Sequence, residues 1–195
     1  MKFTKAEIMT WSNLLSLIRL LMAIPVFFFL YYIDQSYTLR IIIVALLLLA
    51  ALTDFLDGFL ARKLNEITEF GKIIDPLADK VMIGILVLQL YLLGHLPPFY
   101  FFIAVGRDII IFLGGIFVAN KIKKVLPSNM LGKITVLLIG LFLLSIILEL
   151  NMHAPIVHKL LFYISTILIF ASLIGYIIRA KESLDWYKNE SVQKY

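Results

Sequence analysis

The sequence predicts an all-α, polytopic integral membrane protein with six transmembrane helices. Three observations predict it. Of 195 residues, 62% are apolar and only 16% charged, where soluble domains are nearer a quarter charged. Apolar runs long enough to cross ~30 Å of hydrocarbon recur six times along the chain. Basic residues collect in alternate connections between those runs, which is a topogenic pattern rather than a nucleic-acid-binding one.

The predicted helices lie near residues 13–32, 38–60, 71–93, 97–122, 131–150 and 154–180, and they fill the chain as one membrane-embedded domain, 1–195. The first run has no small-residue cleavage site and five more follow it, so it is expected to remain as a membrane helix. The second begins after a short connection at Ile33 to Tyr37 and ends in a polar segment. The third starts at Gly71, with Pro76 in its first turns, where a missing N–H costs little. The fourth carries Arg107 and Asp108 well inside its apolar run; adjacent residues point about 100° apart around a helix, so these two are expected to find separate partners. The fifth opens at Leu131. The sixth is expected to end near Ala180, leaving the segment from Lys181 to Tyr195 as an interfacial anchor or a loose terminus.

An even number of crossings puts both termini on one side. Lys2, Lys5, Arg62, Lys63, Lys121, Lys123, Lys124, Arg179 and Lys181 fall on that side, and Arg40 and Lys159 fall opposite. Both termini, and with them the active face, are therefore expected to be cytoplasmic. The absence of cysteine excludes thiolate chemistry and cysteine-based metal sites. A metal, if present, must use oxygen or imidazole.

Ionisable groups inside membrane helices are costly, so four carboxylates stand out. Asp54 and Asp57 lie three apart at the cytoplasmic end of the second helix, and Asp75 and Asp79 lie four apart at the start of the third. Each spacing puts its pair on one helix face. In an antiparallel hairpin the four would meet at matching depths, where they would repel or protonate without a cation. Oxygen-only ligation points to Mg²⁺ or Mn²⁺, and four carboxylates suffice for two ions with positions left open for substrate phosphates. Gly58 and Ala61 follow Asp54 at four and seven residues, Arg62 comes next, and Gly71 resumes a bare surface before Asp75. A small-residue face of this kind admits a nucleotide or planar base.

Taken together, Asp54, Asp57, Gly58, Ala61, Arg62, Gly71, Asp75 and Asp79 resemble the signature of the CDP-alcohol phosphatidyltransferase family, with all eight positions present. Asn13, Ser16, Arg19 and Pro25 resemble that family's first helix. The resemblance implies transfer of a phosphatidyl group from CDP-diacylglycerol to an alcohol, with release of CMP. It further implies that Asp54, Asp57, Asp75 and Asp79 hold the metals, that Asp79 also takes the proton from the attacking hydroxyl, and that Asp54, Gly58, Ala61, Arg62 and Gly71 accommodate CDP. A homodimer embedded among membrane lipids is the implied assembly.

The acceptor is a second question. A phosphorylated alcohol such as glycerol 3-phosphate needs a cationic pocket, for which Arg107, Lys133 and Arg179 are the candidates. Taken whole, the chain resembles the phosphatidylglycerophosphate synthase branch. Its arginine-aspartate pair at 107 and 108 also resembles cardiolipin synthases that accept phosphatidylglycerol, and this remains the alternative. The rival class is an ion or proton transporter using the same aspartates, against which stand the small residues and Arg62 that a relay does not require. His95 reads as a polar turn residue, and Glu149, His153 and His158 as an interfacial cluster rather than a metal site. Gly114, Gly115 and Gly140 read as points of close helix contact, with the dimer as one use for them.

Overall fold

In the computed structural model the backbone is described for residues 10–64, 71–122 and 130–193, and the side chains of residues 11–12, 55, 57–64, 71–73, 75–77, 79 and 189–193 lie outside the description. The elements are α1 (Trp11–Tyr31), a 3-10 turn (Ile33–Gln35), α2 (Tyr37–Leu64), α3 (Gly71–Leu92), α4 (Pro98–Ile122), α5 (Met130–Ile147), a single-turn α6 (Leu150–His153) and α7 (Pro155–Gln193). No strand occurs among the described residues. They form two compact units that divide between Leu96 and Pro97.

Five helices contain segments long and apolar enough to cross a membrane: Asn13–Tyr31, Tyr37–Asp54, Pro98–Ile122, Met130–Ile147 and Pro155–Lys188. In α3 the apolar stretch is shorter, Lys80–Leu92. The reason lies in its N-terminal half, where Lys72, Asp75 and Asp79 interrupt the run. In the sequence, Asp54 and Asp57 fall in the C-terminal half of α2 and Asp75 and Asp79 in the first turns of α3.

In the first unit α1 is the common partner of α2 and α3. Thr10 caps it, its hydroxyl accepting from the Asn13 amide at 3.3 Å. One stripe of α1 is buried along its length, at Asn13, Ser16, Arg19, Ala23, Val26 and Leu30. Its first half is polar and its second half apolar. The change follows depth, because the polar end lies at the level where α2 and α3 carry their aspartates. Along it, α3 contributes Ile74, Ala78, Met82, Leu86 and Leu90 at four-residue steps, a single helical face. The opposite faces of α1 and α2 expose Leu17, Leu21, Ile24, Phe28, Leu48 and Leu52, as a lipid-facing surface should.

In the second unit α7 is the common partner, packing against α4 and α5. Phe142, Leu143, Ile147 and Ile169 form its apolar core, and Tyr100 is wholly buried beside Phe142, with ring centroids 4.6 Å apart. α5 stops at Ile147, short of residue 150, where Glu149 takes a left-handed conformation (φ 52°) and turns the chain into α6. α7 continues past the expected end at Ala180 to Gln193. No glycine or proline follows Gly175, so nothing in the sequence stops the helix where it leaves the apolar phase. At 39 residues it is about 58 Å long, roughly twice the hydrocarbon thickness.

Candidate active site

Of the eight signature positions, Asp54 is the one whose side chain is described. Asp57, Gly58, Ala61 and Arg62 fall in the last turns of α2, and Asp75 and Asp79 in the first turns of α3, which Gly71 opens. Their side chains lie outside the described residues. The backbone is helical at these positions, and residues three and four apart on a helix share a face.

Asp54 is held from below. Its Oδ1 accepts from Nη1 of Arg19 at 2.8 Å, and the two side chains differ sharply in exposure, 2% for Arg19 against 54% for Asp54. A buried guanidinium beneath an open carboxylate does two things. It offsets part of the repulsion an aspartate cluster creates in a low dielectric, and it fixes the carboxylate's orientation before any ligand arrives. Sequence reasoning placed Arg19 in the resemblance of the first helix but gave it no role. The available signal was the three-residue spacing of Asn13, Ser16 and Arg19, a polar stripe on an otherwise apolar helix that needs polar partners.

The acceptor candidates lie in the second unit. Arg107 is buried to 7% exposure, its Nε donates to Ser172 Oγ on α7 at 3.2 Å, and its Nη1 pairs with Asp108 Oδ1. The expectation of separate partners for Arg107 and Asp108 is thus corrected. The 100° argument concerns the Cα–Cβ directions, and the long arginine side chain curls around the helix to meet its neighbour. Nη2 of Arg107 lies against Gly132 in the first turn of α5, where an added Cβ would stand 3.3 Å away. Lys133 is exposed, and Arg179 is half-buried within α7 rather than at its end.

Other polar groups have structural partners. Asp34 accepts from Arg40 Nη2 and pairs with His95 Nε2, each at 2.9 Å, so His95 ties two connections of the first unit together rather than merely filling a turn. His158 Nδ1 meets Ser145 Oγ at 2.9 Å, and among the described residues no group of three His, Asp or Glu is placed to hold a metal. Gly114 and Gly115 receive Tyr176 of α7, whose ring and hydroxyl would each lie 3.2 Å from an added Cβ. Their close approach is made within the chain. Around Gly140 the space is open.

A family model described as CDP-alcohol phosphatidyltransferase matches residues 9–177, a range that contains every signature position and both buried-arginine pairs. The chain belongs to the CDP-alcohol phosphatidyltransferase family. It is therefore an enzyme of that type, built into a membrane. A protein of Aquifex aeolicus (strain VF5) named CDP-diacylglycerol--glycerol-3-phosphate 3-phosphatidyltransferase is 38% identical over 177 residues, covering 88% of this chain and 96% of that one. A relative of the same name from Rickettsia typhi (strain ATCC VR-144 / Wilmington) is 35% identical over 136 residues, 70% of this chain and 74% of its own. A third, from Mycobacterium tuberculosis (strain CDC 1551 / Oshkosh), is named a probable phosphatidylglycerophosphate synthase and is 32% identical over 159 residues, 78% of this chain and 75% of its own. The family is generally dependent on a divalent metal. The hard oxygen donor that Asp54 presents, half exposed and already oriented, fits such an ion.

Proposed function

We propose that the protein transfers the phosphatidyl group of CDP-diacylglycerol to the hydroxyl of glycerol 3-phosphate, releasing CMP, at the cytoplasmic face of the membrane. The observation that carries the reading is the complete eight-position signature, with its first aspartate open and anchored by a buried arginine. The acceptor rests on the names of the similar proteins from Aquifex and Rickettsia, and nothing comparable favours phosphatidylglycerol. Asp54, Asp57, Asp75 and Asp79 would hold two divalent ions, Mg²⁺ or Mn²⁺, which when bound neutralise and orient the diphosphate. Gly58, Ala61, Arg62 and Gly71 supply the surface and charge for CDP. Asp79 takes the proton from the acceptor hydroxyl as the new phosphoester bond forms and the bond to CMP breaks. Arg107 holds the acceptor's phosphate, helped by Lys133 and Arg179.

The test is an acceptor panel. Purified protein in detergent is given labelled CDP-diacylglycerol with glycerol 3-phosphate, phosphatidylglycerol, serine or inositol phosphate, with and without EDTA. The expected products are phosphatidylglycerophosphate and CMP, lost with EDTA. Consumption of phosphatidylglycerol in preference to glycerol 3-phosphate would transfer the enzyme to the cardiolipin-forming alternative.

A further inference from the structure

α4 and α7 meet along a polar seam that repeats. Tyr100 donates to Ser165 Oγ at 2.8 Å, and seven residues later Arg107 donates to Ser172 Oγ at 3.2 Å, both contacts joining residues 65 apart. A constant offset means that the two helices run in the same direction, and two helical turns separate the contacts. At each serine the hydroxyl proton is already committed. Ser165 donates to Leu161 O at 2.6 Å and Ser172 to Ile169 O at 3.0 Å, so each offers only a lone pair across the seam. Ser165 completes a packing contact around a buried tyrosine. Ser172 meets a guanidinium.

We propose that Ser172 is a positioning residue that sets acceptor affinity by fixing the plane of the Arg107 guanidinium. The inference rests on the reading of Arg107 as the group that binds the acceptor's phosphate. Ser172 claims Nε and Asp108 claims Nη1, so the plane of the fork is determined at two of its three nitrogens. The third, Nη2, lies against Gly132, where the missing side chain gives it room. A fork held at Nε and Nη1 leaves Nη2 to donate in a fixed direction, which suits recognition of a phosphate oxygen better than a mobile cation does. The same geometry makes residue 132 a specificity position, since a methyl group 3.3 Å from Nη2 would make the fork shift by a few tenths of an ångström against its serine.

The experiment is steady-state kinetics of the full chain in detergent, varying glycerol 3-phosphate and CDP-diacylglycerol separately. Ser172→Ala should raise the KM for glycerol 3-phosphate about tenfold, the scale of one hydrogen bond to a charged group, with kcat and the CDP-diacylglycerol KM within about twofold of wild type. Ser172→Thr keeps the accepting oxygen and should recover most of the loss. In an Arg107→Lys background, which has no Nε, Ser172→Ala should add nothing further. Gly132→Ala provides an independent variant with the same expected change in acceptor KM, should Ser172→Ala fold poorly. A rise in acceptor KM for Arg107→Ala with none for Ser172→Ala or Gly132→Ala overturns the positioning role alone. An unchanged acceptor KM in Arg107→Ala overturns the acceptor reading beneath it. A loss of kcat in Ser172→Ala that threonine does not restore, or that persists undiminished in the Arg107→Lys background, makes the serine a packing residue and also overturns the proposal.

Discussion

Each unit of the protein buries an arginine against a half-exposed aspartate, and the two pairs are built in opposite senses. In the first unit Arg19 and Asp54 belong to different helices, and the arginine reaches across from α1 to hold a carboxylate of α2. In the second, Arg107 and Asp108 are neighbours on α4, and the carboxylate together with Ser172 holds the arginine. The exposures are nearly the same, 2% and 54% in one pair, 7% and 52% in the other. What differs is which member the surroundings constrain. Arg19 serves an aspartate of the family signature, whereas Asp108 serves the cation proposed to bind the acceptor's phosphate. In both pairs the aspartate is the exposed member, so the difference lies in what else holds the arginine: Arg107 has a second partner on another helix in Ser172.

The comparison breaks most visibly at the carboxylates. Asp79→Asn preserves size but removes the proposed base, and should lower kcat by roughly 10²-fold or more while metal-dependent CDP-diacylglycerol binding persists. Asp57→Asn should weaken that binding directly. Measuring turnover and binding for the two side by side separates base from ligand: near-wild-type turnover in Asp79→Asn removes it from the chemistry, and equal loss of binding in both leaves it as a ligand only.

A smaller effect is expected when the supporting arginine is changed. Arg19→Gln leaves the Asp54 carboxylate without its anchor and should cost about tenfold or more in kcat/KM for CDP-diacylglycerol, with Arg19→Lys retaining part of the activity. An Mg²⁺ titration of nucleotide binding should shift to higher concentration in Arg19→Gln. An unchanged titration would mean that Arg19 is a packing residue.

Most of the fold was legible because its signal is coarse. An apolar run about 20 residues long has few structures available to it in a bilayer, and the runs near 13–32, 38–60 and 97–122 became α1, α2 and α4 with small shifts at their ends. The end of the last helix was not legible. The apolar signal stops at Arg179, whereas the helix persists through Lys181, Asp185 and Lys188 because backbone hydrogen bonding continues where no glycine or proline breaks it. The same holds at the site. The aspartate spacing could be read from the sequence, since it follows from helix geometry alone. The arginine partners could not, because a side chain of that length reaches groups on its own or another helix that spacing does not reveal. The central place of α1 in its unit was hidden for a related reason, as pairwise patterns on α2 and α3 suggested a hairpin and left their common partner out.

At the other end of the first unit, a third buried arginine sharpens the contrast. Arg40 and His95 both bind Asp34 and tie the first and third connections of the chain together. Asp34→Asn should leave turnover within about twofold of wild type while lowering thermal stability slightly, as loss of a partly exposed ion pair does. Loss of turnover comparable to that of Arg19→Gln would mean that this cluster takes part in the reaction. Topology offers a further check. Since the chain has no native cysteine, single cysteines at Lys63 and His95 can be labelled in sealed vesicles, and they should react from opposite sides.

The opposed senses of the two arginine pairs are tested most directly by bisubstrate kinetics on Arg19→Gln and Arg107→Gln measured together. The account predicts a crossed result. Arg19→Gln should alter the dependence on CDP-diacylglycerol and Mg²⁺ with the glycerol 3-phosphate KM unchanged, and Arg107→Gln should raise the glycerol 3-phosphate KM with the other two unchanged. If both variants lose the same constant, or if Arg19→Gln changes only the acceptor's, the two pairs do not divide the work in this way and the account is contradicted.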